Sequence, residues 1–265
     1  MKGPIVNRIL ITNDDGINAP GIAVLEGIAR HLAEEVWIVA PEHDRSGAGQ
    51  SISIHSPLRV YRSGEKRYAL SGTPADCVLY ALAEWFGETP PDLVLSGVNC
   101  GANISDSVQY SGTVGAALSA LHMNIPAIAL SQAFLNREGI HWSPVQTYGE
   151  SIIRRLYQTD RVRGWNVNFP ACDAGEISEA RWCRQSTGSI QRPRLLAGQD
   201  ARSLPYWWLG FERSSRHIVA PDADVTVLRE KAIAITPLRH EDPLPGGTDT
   251  FDLAAGAADA SNRGD

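Results

Sequence analysis

The sequence predicts an α/β fold built on a mostly parallel sheet. Short apolar runs alternate with amphipathic helical patterns, and the first of them have the spacing of a strand–helix–strand unit. Several of those runs end in polar, acidic or glycine-rich loops. Such a unit pairs its strands in parallel through a right-handed crossover. At 265 residues the chain is long enough for one large domain of this class.

The elements follow in order. Residues 8–12 read as the first strand, which runs straight into Asn13-Asp14-Asp15-Gly16. Adjacent carboxylates repel, and burying them is costly unless a cation or donors stand beside them. Strand carboxyl ends are also where open α/β sheets hold ligands. Asp14 and Asp15 are therefore candidate metal ligands, although an isolated Asn-Asp-Asp-Gly serves equally as an Asx-turn and helix cap. Residues 20–33 place Ile22, Leu25, Ile28 and Leu32 on one face of a helix entered at Pro20. Residues 36–40 form the second strand. The intervening loop has neither a dinucleotide fingerprint nor a P-loop.

The polar loop 41–50 leaves the second strand on the same edge, which brings Arg45 and Ser46 toward the first loop. A serine beside glycine is also an ordinary turn residue, and a lone loop histidine such as His43 is commonly just solvated. Alternation over 51–62, followed by 66–70, predicts antiparallel strands, an excursion from the parallel core. A helix from Pro74 to residue 86 buries Val78, Leu82 and Trp85. Residues 92–96 are the third parallel strand, ahead of a loop rich in Gly and Asn that carries Asn99 and Asn103.

Ser111-Gly112-Thr113 opens a helix running to about His122. Its free N–H groups, hydroxyls and positive dipole end suit phosphate, and the same residues suit a plain helix cap. Residues 125–131 form the fourth core strand, 145–158 a helix, and 165–170 a further strand or extended edge. Residues 171–220 hold arginines and tryptophans in no clear period and predict strands in a projecting arm. Residues 232–237 are a final strand. The expected organisation is one domain over 1–242, with a core at about 5–170 and an arm at about 171–242. Residues 243–265 form a low-complexity tail with the composition of a disordered segment.

Composition narrows the function. Hydrophobic residues make up 43% and charged residues 20%, ordinary values for a globular chain. A net charge of −6 argues against a nucleic-acid duplex as partner, while small phosphorylated substrates stay open because a local cation reverses a global charge. Cys77, Cys100, Cys172 and Cys183 show no Cys-x-x-Cys spacing, which fits a reducing compartment. No apolar run reaches about 18 residues, and no signal-peptide pattern opens the chain, so a cytoplasmic protein without a membrane partner is expected.

Three strand ends thus bring Asp14 and Asp15, Ser46, and Asn99 to one sheet edge. An all-oxygen set of this kind suits Mg²⁺, Mn²⁺ or Ca²⁺. Asn13-Asp14-Asp15-Gly16, Ala19-Pro20-Gly21-Ile22, Arg45-Ser46-Gly47, Gly72-Thr73-Pro74-Ala75-Asp76, Ser96-Gly97-Val98-Asn99, Gly101-Ala102-Asn103 and Tyr110-Ser111-Gly112-Thr113-Val114 together resemble the SurE family of metal-dependent 5′/3′-nucleotidases. The resemblance is close over 8–131 and weaker after 165, where Asn166-Val167-Asn168-Phe169-Pro170 and Asp224 still match.

The resemblance implies a Rossmann-like three-layer αβα core. It also implies a homodimer or homotetramer built partly through the C-terminal extension. It implies one divalent cation, Mg²⁺ or Mn²⁺, held by Asp14, Asp15, Ser46 and Asn99, with Asp14 and Asp15 catalytic. Phosphate would lie on Asn103, Ser111, Gly112 and Thr113, with Asn13, His43 and Arg45 as candidate substrate contacts. The activity expected is phosphate removal from nucleoside 5′- and 3′-monophosphates by a metal-activated water. A broader phosphatase or exopolyphosphatase, and a non-catalytic nucleotide sensor, are the alternatives.

Overall fold

The computed structural model describes residues 3–136, 139–159, 164–213 and 220–238. Strand β1 (Val6–Thr12) lies inside a nine-stranded sheet, where Ile9 and Ile11 face one apolar cluster and Leu10 the other. A strand buried on both faces explains the unbroken apolar run. Helix α1 (Pro20–Ala29) buries Ile22, Leu25 and Ile28. It stops short of the expected residue 33, because the Leu32 carbonyl accepts from the Ile5 and Val6 amides at 2.8 and 3.3 Å. Leu32 is thus buried as the approach to strand β2 (Ala33–Pro41), which pairs in parallel with β1.

Strands β3 (Val60–Gly64) and β4 (Arg67–Leu70) are antiparallel to each other, and β4 extends the core by pairing in parallel with β2. The alternation over 51–58 is not a strand: Ile52 and Ile54 are exposed. Ser53 N and Oγ donate to Asp76, and Thr73 Oγ1 donates to the Ser51 carbonyl. Side chains at the start of helix α2 (Pro74–Ala81) thereby take up polar groups that a ladder would have paired. Thr73 and Asp76 also form a capping box on α2. The helix gives way to a π-helical turn over Leu82–Phe86, so Leu82 and Trp85 are half-buried rather than core.

Strand β5 (Leu93–Cys100) outruns its expected end, and its register with the next strand shifts between Ser96 and Asn99. Helix α3 (Gly112–His122), strand β6 (Ala127–Gln132), helix α4 (Ser143–Tyr157) and strand β7 (Gly164–Phe169) follow. Every residue of β7 is buried, because it is an inner strand and not an edge. Short strand β8 (Ala180–Trp182) is followed by strands β9 (Ile190–Gln199) and β10 (Pro205–Arg213), which pair only with each other as an exposed hairpin. Helix α5 (Asp224–Arg229) leads to strand β11 (Ile233–Pro237). The expected tail at 243–265 lies outside the described residues.

The sheet order is β3-β4-β2-β1-β5-β6-β7-β11-β8. From β4 through β7 all neighbours are parallel, and β11 is antiparallel to β7. Helices α1 and α4 cover one face, α2 and α3 the other, giving a three-layer, Rossmann-like α/β fold. The chain moves from β1 outward to β2 and later returns to place β5 on the other side of β1. Between the carboxyl ends of β1 and β5 lies the switch point, where sheets of this kind open a ligand crevice.

An ion cluster marks the start of β2. Glu35 accepts from Lys66 Nζ at 2.8 Å, Trp37 Nε1 at 2.7 Å and Arg8 Nε at 2.9 Å. These partners, Lys66 foremost, hold its carboxyl down from 4.5 to about 2. A carboxyl depressed in the fold stabilises it above the unfolded value and loses that contribution as pH falls through the folded one. Glu35→Gln is expected to cost about 1 kcal/mol at neutral pH, after allowance for partial solvation. Urea unfolding across pH should show the gap closing between 4.5 and about 2; a gap that persists at the acid end would mean that packing, not charge, is responsible.

Candidate active site

The turn after β1 is closed by Asn13, whose Nδ2 donates to the Gly16 carbonyl at 2.8 Å and whose Oδ1 accepts from Gly16 N at 3.2 Å. Asn13 is fully buried and committed to that turn. The turn presents Asp14 and Asp15 side by side. Asp14 is buried, and Oδ1 accepts from the Thr113 hydroxyl at 2.5 Å. Asp15 Oδ2 accepts from Cys100 N at 2.9 Å, which ties the turn to the end of β5. The loop after β2 is tied to it as well, since Arg45 N donates to the Asp14 carbonyl at 2.7 Å.

A cavity of about 560 Å³ opens here, lined among others by Asp14, Ser46, Asn99, Asn103 and Ser111. These come from the loops after β1 and β2, the end of β5, the stretch beyond it and the cap of α3. Ser111 is that cap, its Oγ accepting from Val114 N at 3.1 Å. Gly112 and Thr113 stand behind the wall. A Cβ on Gly112 would lie 2.8 Å from Asp14 Cβ, so only glycine lets α3 approach the carboxylate. The Thr113 hydroxyl, expected on phosphate, is given to Asp14. His43 and Arg45 are outside the lining. His43 lies 3.8 Å from the Glu42 carboxylate, and the Arg45 guanidinium donates to the Ser71 carbonyl at 2.9 Å.

A network that sequence reasoning did not assemble holds the Asn103 segment in place. Asn103 N donates to Asn168 Oδ1, while its carbonyl accepts from Asn166 Nδ2 and Asn168 Nδ2. Its own Nδ2 donates to Ser131 Oγ at 2.9 Å. Fully buried Asp224 accepts from Ser105 N through Oδ2, and from Ser186 and Val225 through Oδ1. The available signal was Asn-Val-Asn within an apolar strand, since a period of two puts both amides on one face.

Burial is the main force on the Asp14 carboxyl and Asp15 adds like charge; together they raise it from 3.8 to about 6 despite the Thr113 hydroxyl. A cation beside the pair would reverse that imbalance. Among the described residues no group of three or more His, Cys, Asp or Glu could hold a metal. The donors at hand are carboxylate, hydroxyl and amide oxygens, the chemistry of a hard divalent ion rather than structural zinc. On that ground the oxygens of Asp14, Ser46 and Asn99, which line the cavity, suit such an ion, while Asp15 stands outside the lining.

Fold and cavity together define an α/β protein with an oxygen-rich, anion-compatible crevice at its sheet switch point. The family model described as "Survival protein SurE" matches residues 9–192. The chain belongs to the SurE family. It is 43% identical over 244 residues to "5′-nucleotidase SurE 1" of Burkholderia lata, covering 90% of this chain and 92% of that relative. It is 42% identical over 256 residues to "5′-nucleotidase SurE" of Bradyrhizobium diazoefficiens, covering 95% and 99%. The solved SurE protein from Aquifex aeolicus superposes with a TM-score of 0.75 at 30% identity, covering 88% of this chain and 94% of that one. None of the four cysteines is joined to another, and no described helix is long and apolar enough to cross a membrane.

Proposed function

We infer that this chain is a 5′-nucleotidase that hydrolyses nucleoside monophosphates with the help of one divalent cation, Mg²⁺ or Mn²⁺. The carrying observation is the meeting of Asp14, Asn99, Asn103 and Ser111 in one cavity at the β1/β5 switch point. The names of the relatives support the same activity. Asp14, Asp15, Ser46 and Asn99 are assigned to the cation. Such an ion, when bound, neutralises phosphoryl charge and makes water a better nucleophile.

The chain's own residues bind and orient. Ser111 and the α3 N-terminus face the equatorial phosphoryl oxygens with hydrogen-bond donors. Asn103, fixed through Asn166 and Asn168, offers its amide to the same group. Thr113 holds Asp14 in one orientation. In the reaction a water oxygen bonds to phosphorus, the ester P–O bond breaks, and the nucleoside alcohol leaves carrying a proton. Tyr110 and Phe134 also line the cavity, and aromatic side chains of this kind suit contact with a planar base.

The second part of the reading is assembly as a homo-oligomer through the β9–β10 hairpin. Leu195, Leu196, Trp207, Trp208 and Leu209 are each more than half exposed there, an apolar surface of the kind that marks an interface. Phosphate release from a panel of nucleoside, sugar and polyphosphate substrates, with Mn²⁺ or Mg²⁺ and then with chelator, tests the activity. Turnover of nucleoside monophosphates that stops with chelator is expected; turnover of polyphosphate alone, or none, would overturn the reading. A solution mass of one 28.7-kDa chain would remove the assembly part.

A further inference from the structure

One cationic side chain lines the cavity among the described residues: Arg213, at the end of β10. A phosphomonoester arrives as a dianion, so this position carries weight. Arg45, the cation nearest in sequence to the metal-side loops, is turned to the Ser71 carbonyl. Arg213 is not neutralised by its neighbour either. Glu212 is engaged elsewhere, accepting from Arg192 Nε at 2.7 Å and Nη2 at 3.2 Å. No ion pair among the described residues involves the Arg213 guanidinium.

The root of the hairpin is fixed against the site on both strands. Phe211 lies two residues before Arg213 on β10, and its ring centroid lies 5.4 Å from that of Tyr110, which lines the cavity. On β9, Ile190 pairs with Arg213. Asp106, from the segment that carries Asn99 and Asn103, accepts from Ile190 N at 2.8 Å, Gly188 N at 3.0 Å and Ser189 Oγ at 3.1 Å. The end of β10 that brings Arg213 to the cavity is thus held by two separate anchors.

We propose that Arg213 is a substrate-holding residue whose guanidinium takes the phosphate end of the nucleotide, with Asp106 positioning it through Ile190. The proposal rests on the nucleotidase reading and adds a contact to it. Guanidinium matches phosphate oxygens in a two-pronged arrangement that lysine, a point charge, reproduces only in part. Because phosphate is common to all substrates, the effect should not depend on the nucleoside.

The test compares wild type with Arg213→Ala, Arg213→Lys and Asp106→Ala, using a nucleoside 5′-monophosphate, p-nitrophenyl phosphate, and inorganic phosphate as inhibitor. Arg213→Ala is expected to raise KM for both esters, and the inhibition constant of phosphate, by about tenfold while kcat changes less than about threefold. Arg213→Lys should recover part of that, and Asp106→Ala should shift KM in the same direction. A KM change confined to the nucleotide would place Arg213 on the nucleoside and overturn the phosphate assignment. Unchanged KM and phosphate inhibition, or a loss confined to kcat, would overturn it too. If wild type turns over no ester, the nucleotidase reading fails on its own. Equilibrium binding of inorganic phosphate to wild type and Arg213→Ala in the presence of Mn²⁺ then still decides the role of Arg213.

Discussion

Asp14→Asn is expected to lower kcat/KM for nucleoside monophosphates by at least about 100-fold, since under the proposed assignment it removes a charge from the cation's ligands. The variant isolates that charge because the amide oxygen of Asn can still accept from the Thr113 hydroxyl, keeping the link to α3. Its stability should move the other way. A buried carboxyl whose value is raised to about 6 binds protons more readily folded than unfolded, so its charged form opposes folding at neutral pH. In chelator, the Asn protein should therefore melt no lower than wild type, while titration calorimetry shows Mn²⁺ binding weakened. Full activity with intact Mn²⁺ affinity would remove Asp14 from the centre.

Gly21→Ala is expected to destabilise the fold by about 3 kcal/mol, well beyond a routine substitution. Helix propensity alone predicts the reverse, a gain of about 1 kcal/mol. Packing decides the sign. A Cβ on Gly21 would sit 1.9 Å from the Val98 carbonyl oxygen and 3.2 Å from the Trp142 ring, and the oxygen belongs to the backbone of β5. Helix α1 would have to lift away from β5, moving both walls of the crevice. Gly27→Ala, in the same helix with nothing within 4 Å of the new atom, is the control and should stabilise slightly. Equal urea midpoints for the two variants would show that the approach of α1 to β5 is softer than it looks.

Much of the core was legible because its signals are local. The apolar run of β1, the periodic face of α1 and the acids between them sit within one stretch of chain, and strand ends in parallel sheets gather at one edge. The alternation at 51–58 misled because Asp76 and Thr73 satisfy that segment from another element. The bond of the Thr113 hydroxyl was not legible for a related reason: its partner, Asp14, is 99 residues away. Arg213 was invisible for want of any motif. Its place depends on a β-pairing with Ile190 and on the grip of Asp106 on that strand, neither of which has a sequence pattern of its own.

The buried carboxylate of Asp224 also has a bearing on biosynthesis. It meets Ser105 across 119 residues, and Gln185 Nε2 reaches the carbonyl of the same serine at 3.0 Å. On the ribosome, β1, β5 and α3 emerge long before the segment that fastens the Asn103 loop. A nascent chain can thus collapse its central sheet early, yet the crevice gains its final shape only after α5 has been translated and docked. Polypeptides ending before residue 224 would carry both Asp14 and Asp15 and still lack a finished site.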